Sequence, residues 1–363
     1  MPVFFQISKR FCRANYESLR ITTMPVITVL MPVFNAEAFV GHAVESILSQ
    51  TFKDFEFLVI DDCSTDDSVD IVKSFKDSRI RLVRNETNLK LARTLNKGLD
   101  LAKGEFIARM DSDDISRPDR FERQMEYLKR HAGTGICGSW YRTITEKNRM
   151  IVKYPLQPDE LKAYCLFDNP LCHPSVIMRR NLMLKYALRF DPSANPAEDY
   201  DLWVRSLRCF DVGNIGEVLL DYRVLSTGMT GAEWNSMDRK AMDIQKALLN
   251  EIGVDPSVED LLLHRRIGRG IGLQHAEDIS RAELWLLRLM KSGAGCAYDP
   301  IGLQKAAARV WFKTCINTLR MDPSILRYYR SSPFRRGYDP SLFERLLMFG
   351  YWIGMGCSVR QGV

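Results

Sequence analysis

The chain has 363 residues, a net charge of +6 and an apolar fraction of 46%. That composition suits a globular protein of one large or two moderate domains and excludes a disordered or fibrous chain. No window reaches the roughly 18 consecutive apolar residues of a spanning helix; most of the positive surplus falls after residue 231, without the concentrated basic stripe that nucleic-acid binding requires.

Nine cysteines without a C-x-x-C pair fit reduced thiols in the cytoplasm. Residues 1–23 carry bases but no apolar h-region, so they do not read as a secretory signal and are expected to form a poorly ordered extension. Met24 then becomes the natural start. Val26 to Met31 is apolar and β-branched throughout, as a strand buried on both faces should be. Pro32-Val33-Phe34-Asn35 ends it, and Ala38, Phe39, Ala43, Val44, Ile47 and Leu48 recur at helical spacing. Phe55 to Ile60 is a second strand running into Asp61-Asp62, and a helix through Val69 and Val72 follows. A short strand at Ile80–Val83, a helix over about 89–102 and a strand ending in Asp111-Ser112-Asp113-Asp114 complete the alternation.

Strand–helix alternation predicts a doubly wound, mostly parallel α/β sheet with ligands at the carboxyl ends of its strands. Three polar clusters, Pro32–Asn35, Asp61-Asp62 and Asp111–Asp113, fall at such ends. Asp111 and Asp113 leave an extended backbone on the same side, where two carboxylates repel unless a cation lies between them. Helix capping is the competing reading of the acidic runs, at Asp61-Asp62 and at Glu198-Asp199 as well.

Phe121, Met125 and Leu128 mark a helix after Pro118, Thr134–Tyr141 a strand, residues 155–174 an irregular stretch, and Ser175–Met178 a strand. A helix starts at Ala197–Asp201, and Val218–Val224 reads as a late strand or edge. Beyond a boundary at residues 227–231 the pattern is helical, at 242–249, 260–266, 281–290 and 303–319. Tyr328 to Arg336, followed by an apolar run, suits either an interfacial element on an anionic membrane or a helical bundle packed on the catalytic domain or a second subunit.

Taken in order, VLMPVFNAEAFVGHAVESILSQTFKDFEFLVIDDCSTDDS, NLKLARTLNKGLDLAKGEFIARMDSDD, HPSVIMRR and AEDYDLWVR resemble the family 2 glycosyltransferases of bacterial polysaccharide assembly. The resemblance covers residues 24 to about 224. It implies a GT-A (Rossmann-like) catalytic domain over residues 24–230, with residues 231–363 as a helical acceptor, oligomer or membrane-surface region. By position it implies that Pro32 and Asn35 line the nucleotide pocket, that Asp62 reads uracil with Asp61 beside it, and that Asp113 binds Mn²⁺ or Mg²⁺. Asp111 would contact the metal or the ribose, with Ser112 between the two, and Asp199 would be the base of an inverting enzyme. Arg109 is placed at a phosphate or in a salt bridge, and His173 and Glu198 near the acceptor or the diphosphate. A Cys165–Cys172–His173 metal set does not match zinc spacing.

Two features depart from the family pattern. The histidine often found just past the Tyr-Arg pair is missing after Tyr222-Arg223, and the Q-x-x-R-W signature of processive synthases is absent. Transfer of a single sugar follows, from a nucleotide-sugar donor (UDP-linked) to a glycan or lipid-linked glycan of the cell envelope. The enzyme would then sit in the cytoplasm or on the inner face of the membrane. A nucleotidyltransferase, a glycoside hydrolase and a catalytically silent scaffold are the alternatives.

Overall fold

The computed structural model describes residues 24–145, 149–224, 231–273, 276–293, 297–319, 322 and 324–352. The expected extension at 1–23, the boundary at 227–230 and the end of the C-terminal apolar run lie outside them.

The first half alternates as the apolar pattern requires: β1 (Ile27–Val33), α1 (Val40–Leu48), β2 (Phe55–Asp61), α2 (Ser68–Ser74), β3 (Ile80–Arg84), α3 (Leu91–Leu101) and β4 (Phe106–Arg109). These strands pair in parallel in the order β3-β2-β1-β4. Every side chain of β1 is buried, and successive residues serve opposite faces. Ile27, Val29, Met31 and Phe57 pack with α1, while Leu30, Leu58, Ile60 and Ile107 pack with α3. Each such side chain contributes about 1.5–3 kcal/mol by leaving water.

The second half is mixed: β5 (Ile115–Ser116), α4 (Arg120–Arg130), β6 (Thr134–Ile144), β7 (Ile151–Val152), α5 (Pro158–Tyr164), β8 (Ile177–Arg179), α6 (Arg180–Lys185), α7 (Glu198–Ser206) and β9 (Asp211–Arg223). β8 is antiparallel to both β4 and β6, β6 runs parallel to β9, and β5 and β7 add short antiparallel ladders. Two expectations are corrected here. The stretch read as irregular holds α5, signalled by Pro158 and by acids in its first turn. The late strand is the end of a thirteen-residue strand whose Gly213, Asn214 and Gly216 obscured its start.

Helices α8 (Gly231–Glu251), α9 (Val258–Gly268), α10 (Ala276–Gly293), α11 (Pro300–Thr318), α12 (Ile325–Ser331) and α13 (Leu342–Trp352) share one apolar core with Ala163, Leu166, Phe167 and Tyr200 of the sheet half. His264 on α9 joins the two. Its Nε2 bonds to the Leu166 carbonyl at 2.6 Å and its Nδ1 accepts from Trp285 Nε1 at 3.0 Å; burial pushes its pKa down to about 4, so the ring stays neutral. At Gly268 a Cβ would meet the Phe167 carbonyl oxygen at 2.1 Å, which explains why glycine occupies the closest approach. Tyr329 and Phe334, candidates for a membrane face, are buried in this core, whereas Arg335 and Arg336 are exposed. Among the described residues no helix is long and apolar enough to cross a membrane.

Candidate active site

β4 delivers the acidic tip. Met110 N–H donates to the Leu30 carbonyl at 3.0 Å, and beyond it the chain leaves the sheet. β5 then pairs with β9, and Arg223 clamps the loop between them. Its backbone N–H donates to Asp114 Oδ1 at 2.8 Å and its Nε to the Asp113 carbonyl at 2.9 Å.

As a result Asp111, Asp113 and Asp114 each bring an oxygen within 4.8 Å of the others. Burial and the neighbouring Asp111 push Asp113 up to about 6; burial with Asp111 and Asp113 pushes Asp114 well above the usual carboxylate range. Asp114 Oδ2 is buried without a partner. An oxygen-only set of repelling carboxylates with an orphaned acceptor fits a hard divalent cation. Sequence reasoning left Asp114 out of the set, although it belongs to the same acidic run. No histidine joins the set among the described residues. Ser112 lies half-buried between the two expected ligands.

Arg109, the last residue of β4, is buried, and its guanidinium pairs with Asp111. Burial disfavours its charge, but Asp111 and Asp114 outweigh burial and keep it protonated. Its Nε has no partner. The expected salt bridge is present, inside the cleft rather than at a sheet edge.

The first two clusters stand at the neighbouring strand ends. Pro32 is buried in β1 two residues past Leu30, the last residue that pairs with β4, so its missing N–H leaves no gap in that ladder. Asn35 holds φ 48° and its Oδ1 accepts from Thr65 N–H at 2.9 Å. Asp61 accepts from Ser64 N–H and, at 3.0 Å, from Arg84 Nε. Asp62 accepts from Asn85 Nδ2 at 2.7 Å, Leu89 N–H at 2.8 Å and Lys90 N–H at 3.0 Å. Both carboxylates are used within the chain, in loop contacts and not as caps of α2, whose N-cap is Asp67; a base contact at Asp62 has only the remaining lone pairs to use.

In the same cleft, α7 starts at Glu198 with three acids in its first turn, Glu198, Asp199 and Asp201, where the helix dipole favours negative charge. Asp199 Oδ1 accepts from Tyr200 N–H at 2.7 Å and Oδ2 from Asn169 Nδ2 at 2.8 Å. Burial still raises its pKa, which makes it a stronger base than a surface aspartate. His173 Nδ1 lies 3.9 Å from Asp199 Oδ2, with its ring against Phe190 and Trp203. Burial and Arg109 hold this imidazole well below its usual pKa, so the contact is dipolar and not an ion pair.

Arg109, Asp111, His173, Glu198 and Asp199 line one cleft of about 430 Å³, together with Tyr141, Tyr154 and Tyr222. Asp113, not itself in the lining, reaches this cleft through Asp111. Met237 and Ala241 of α8 and Arg265 of α9 close its wall. Nothing in the sequence marked those three, because the helical region carries no motif. Asn169, which orients Asp199, was visible only as part of the stretch at 155–174 read as irregular.

Glu198 is buried, and burial with the adjacent Asp199 raises it to about 7. Its folded pKa lies above the unfolded value, so the stability it contributes is complete below about pH 4.5 and is lost as pH rises through 7. Glu198→Gln is expected to gain up to about 3 kcal/mol over the native chain at pH 8, and nothing at pH 4. Urea denaturation at both pH values measures this.

The family model described as "Glycosyl transferase family 2" matches residues 28–186. The Escherichia coli O-antigen biosynthesis glycosyltransferase WbnJ is 35% identical over 57% of this chain and 82% of its own length. This chain belongs to glycosyltransferase family 2. The glycosyltransferase is also 28% identical to the E. coli UDP-Glc:alpha-D-GlcNAc-diphosphoundecaprenol beta-1,3-glucosyltransferase WfgD, over 59% of this chain and 83% of that one. Its fold matches the crystal structure of S. aureus TarS 1-349 in complex with UDP-GlcNAc, with TM-score 0.52 and 18% identity over 90% of this chain and 92% of that one. The architecture is therefore GT-A.

Proposed function

We propose that this glycosyltransferase moves one sugar from a nucleoside-diphosphate sugar, UDP-linked, to a hydroxyl of a cell-envelope glycan, inverting the anomeric centre. The observation that carries this reading is a single cleft lined both by Asp111 of the carboxylate cluster and by the Asn169-held Asp199. The E. coli relatives named for O-antigen and diphosphoundecaprenol-linked glycan assembly support the acceptor class.

Asp111, Asp113 and Asp114 would hold a divalent cation, Mn²⁺ or Mg²⁺, which when bound neutralises charge growing on the departing diphosphate. Arg109 adds a fixed positive charge beside them in a buried setting, where it acts more strongly than in water. Asp199 takes the proton of the acceptor hydroxyl as its oxygen bonds to the anomeric carbon. On the opposite side the bond to the diphosphate oxygen breaks, and the diphosphate takes the electron pair. His173, neutral, and Glu198 shape the wall where the two substrates meet. A cytoplasmic or peripheral membrane location is consistent with the exposed Arg335 and Arg336.

The test is thermal shift with UDP, with and without Mn²⁺, beside ATP as control. Stabilisation of several degrees by UDP that requires the metal is expected. Equal stabilisation by ATP, or none by either, would favour a different nucleotide chemistry.

A further inference from the structure

Next to the catalytic cleft, α8 and α9 enclose a second groove of about 580 Å³ that no known motif accounts for. Met237 and Ala241 of α8 face the cleft, and the next positions, Asp238 and Met242, face the groove. Arg265 belongs to both. The two spaces therefore meet at one side chain.

The groove is strongly basic. Arg239, Arg265, Arg266 and Arg269 line it, against Asp238 alone. Arg265 is neutralised by Asp168 at 2.7 Å and Asp238 at 3.0 Å, and Arg269 shares Asp238 at 3.0 Å. Arg266 Nε and Nη2 donate to the Gly272 carbonyl, at 3.2 and 3.1 Å, which leaves its positive charge uncompensated by any carboxylate in these contacts. Arg239 is exposed. Leu262 and Ile271, 54% and 42% exposed, complete the walls beside the bases. Guanidinium groups recognise phosphate oxygens by paired N–H donors, and large exposed apolar residues beside them suit a ligand with a hydrocarbon end.

The groove also lies on the acceptor side. Arg265 pairs with Asp168, the neighbour of Asn169, which bonds to the proposed base Asp199. A molecule whose hydroxyl reaches Asp199 can thus extend toward Arg265.

We propose that the α8–α9 groove seats a diphosphate carried by the acceptor, with the acceptor's hydrocarbon chain along Leu262 and Ile271. This rests on the glycosyltransferase reading and adds to it a second anion site, separate from the carboxylate cluster that would hold the donor.

The experiment uses the full chain and farnesyl diphosphate as probe, with inorganic diphosphate and phosphatidylglycerol vesicles as comparison arms. Binding is followed by calorimetry in EDTA, on the native chain, Asp113→Ala, Arg239→Glu and the double variant Arg239→Glu/Arg266→Gln. Circular dichroism reports whether each variant is folded, and metal-dependent UDP stabilisation, expected to persist in the arginine variants and to be lost in Asp113→Ala, tests the donor reading separately. Farnesyl diphosphate should bind at least tenfold more tightly than inorganic diphosphate. It should keep its affinity in Asp113→Ala and lose it at least tenfold in the folded arginine variants. Unchanged binding in those variants, or binding that disappears with Asp113→Ala, overturns the proposal. So does a loss confined to vesicle binding, which would make the groove a membrane contact instead.

Discussion

Asp113→Ala is expected to lower kcat by about 10³-fold, because the cation set loses one of three ligands and charge on the leaving diphosphate goes uncompensated. The fold should survive the change. In EDTA the variant should be more stable than the native chain above pH 6, by roughly 2 °C in Tm, and equal to it near pH 4. The sign follows from the raised carboxyl of Asp113 at about 6: its ionised form is disfavoured in the folded protein, so removing it relieves repulsion only where it would be charged. With Mn²⁺ the order is expected to reverse, since in the proposed mechanism only the complete carboxylate set binds the ion tightly and is stabilised by it. Calorimetric melts at pH 4 and pH 8, with EDTA and with Mn²⁺, check all of this. A variant with full activity would remove Asp113 from the mechanism.

Asp199→Asn is expected to lower kcat by about 10²–10⁴-fold and to leave the KM for the donor within twofold. The amide is nearly the same size, so the wall of the cleft is retained, although its single oxygen can accept from Asn169 Nδ2 or from Tyr200 N–H and not from both. What it cannot do is take the acceptor's proton. Steady-state kinetics with varied donor separate the two roles: a donor KM that rises in step with the fall in kcat would indicate a residue that shapes the donor site. Asn169→Ala should share part of the kcat loss, because it removes the bond that fixes Asp199.

Much of the sheet half was legible in the residues. Apolar runs such as Val26–Met31 read as strands covered on both sides, and their abrupt polar ends place Asp61, Asp62 and Asp111 at one rim. α5 and the start of β9 were missed for opposite reasons. α5 announced itself only by its first turn, while glycine and asparagine in β9 imitate a loop although β6 pairs with Gly213 and Asn214 and skips Gly216 at a register shift. Asp62 shows the limit of position alone. It sits where expected, but its carboxylate holds the 85–90 loop through three bonds that no spacing rule displays.

The sequence by itself determined the alternating strands and helices, the acidic strand end and the Glu-Asp pair at a helix start, because these depend on hydrophobic period and local chemistry. Only the tertiary structure decided that Asp114 completes the carboxylate set, that Asn169 orients Asp199, and that α8 and α9 wall the cleft and bring Arg265 to it. Asn169 and Asp199 are 30 positions apart, Arg265 and Asp168 97, and Asp114 is held beside its neighbours by Arg223, 109 positions away; the strength of these relations comes from burial, because charges withdrawn from water interact over distances that no local pattern encodes.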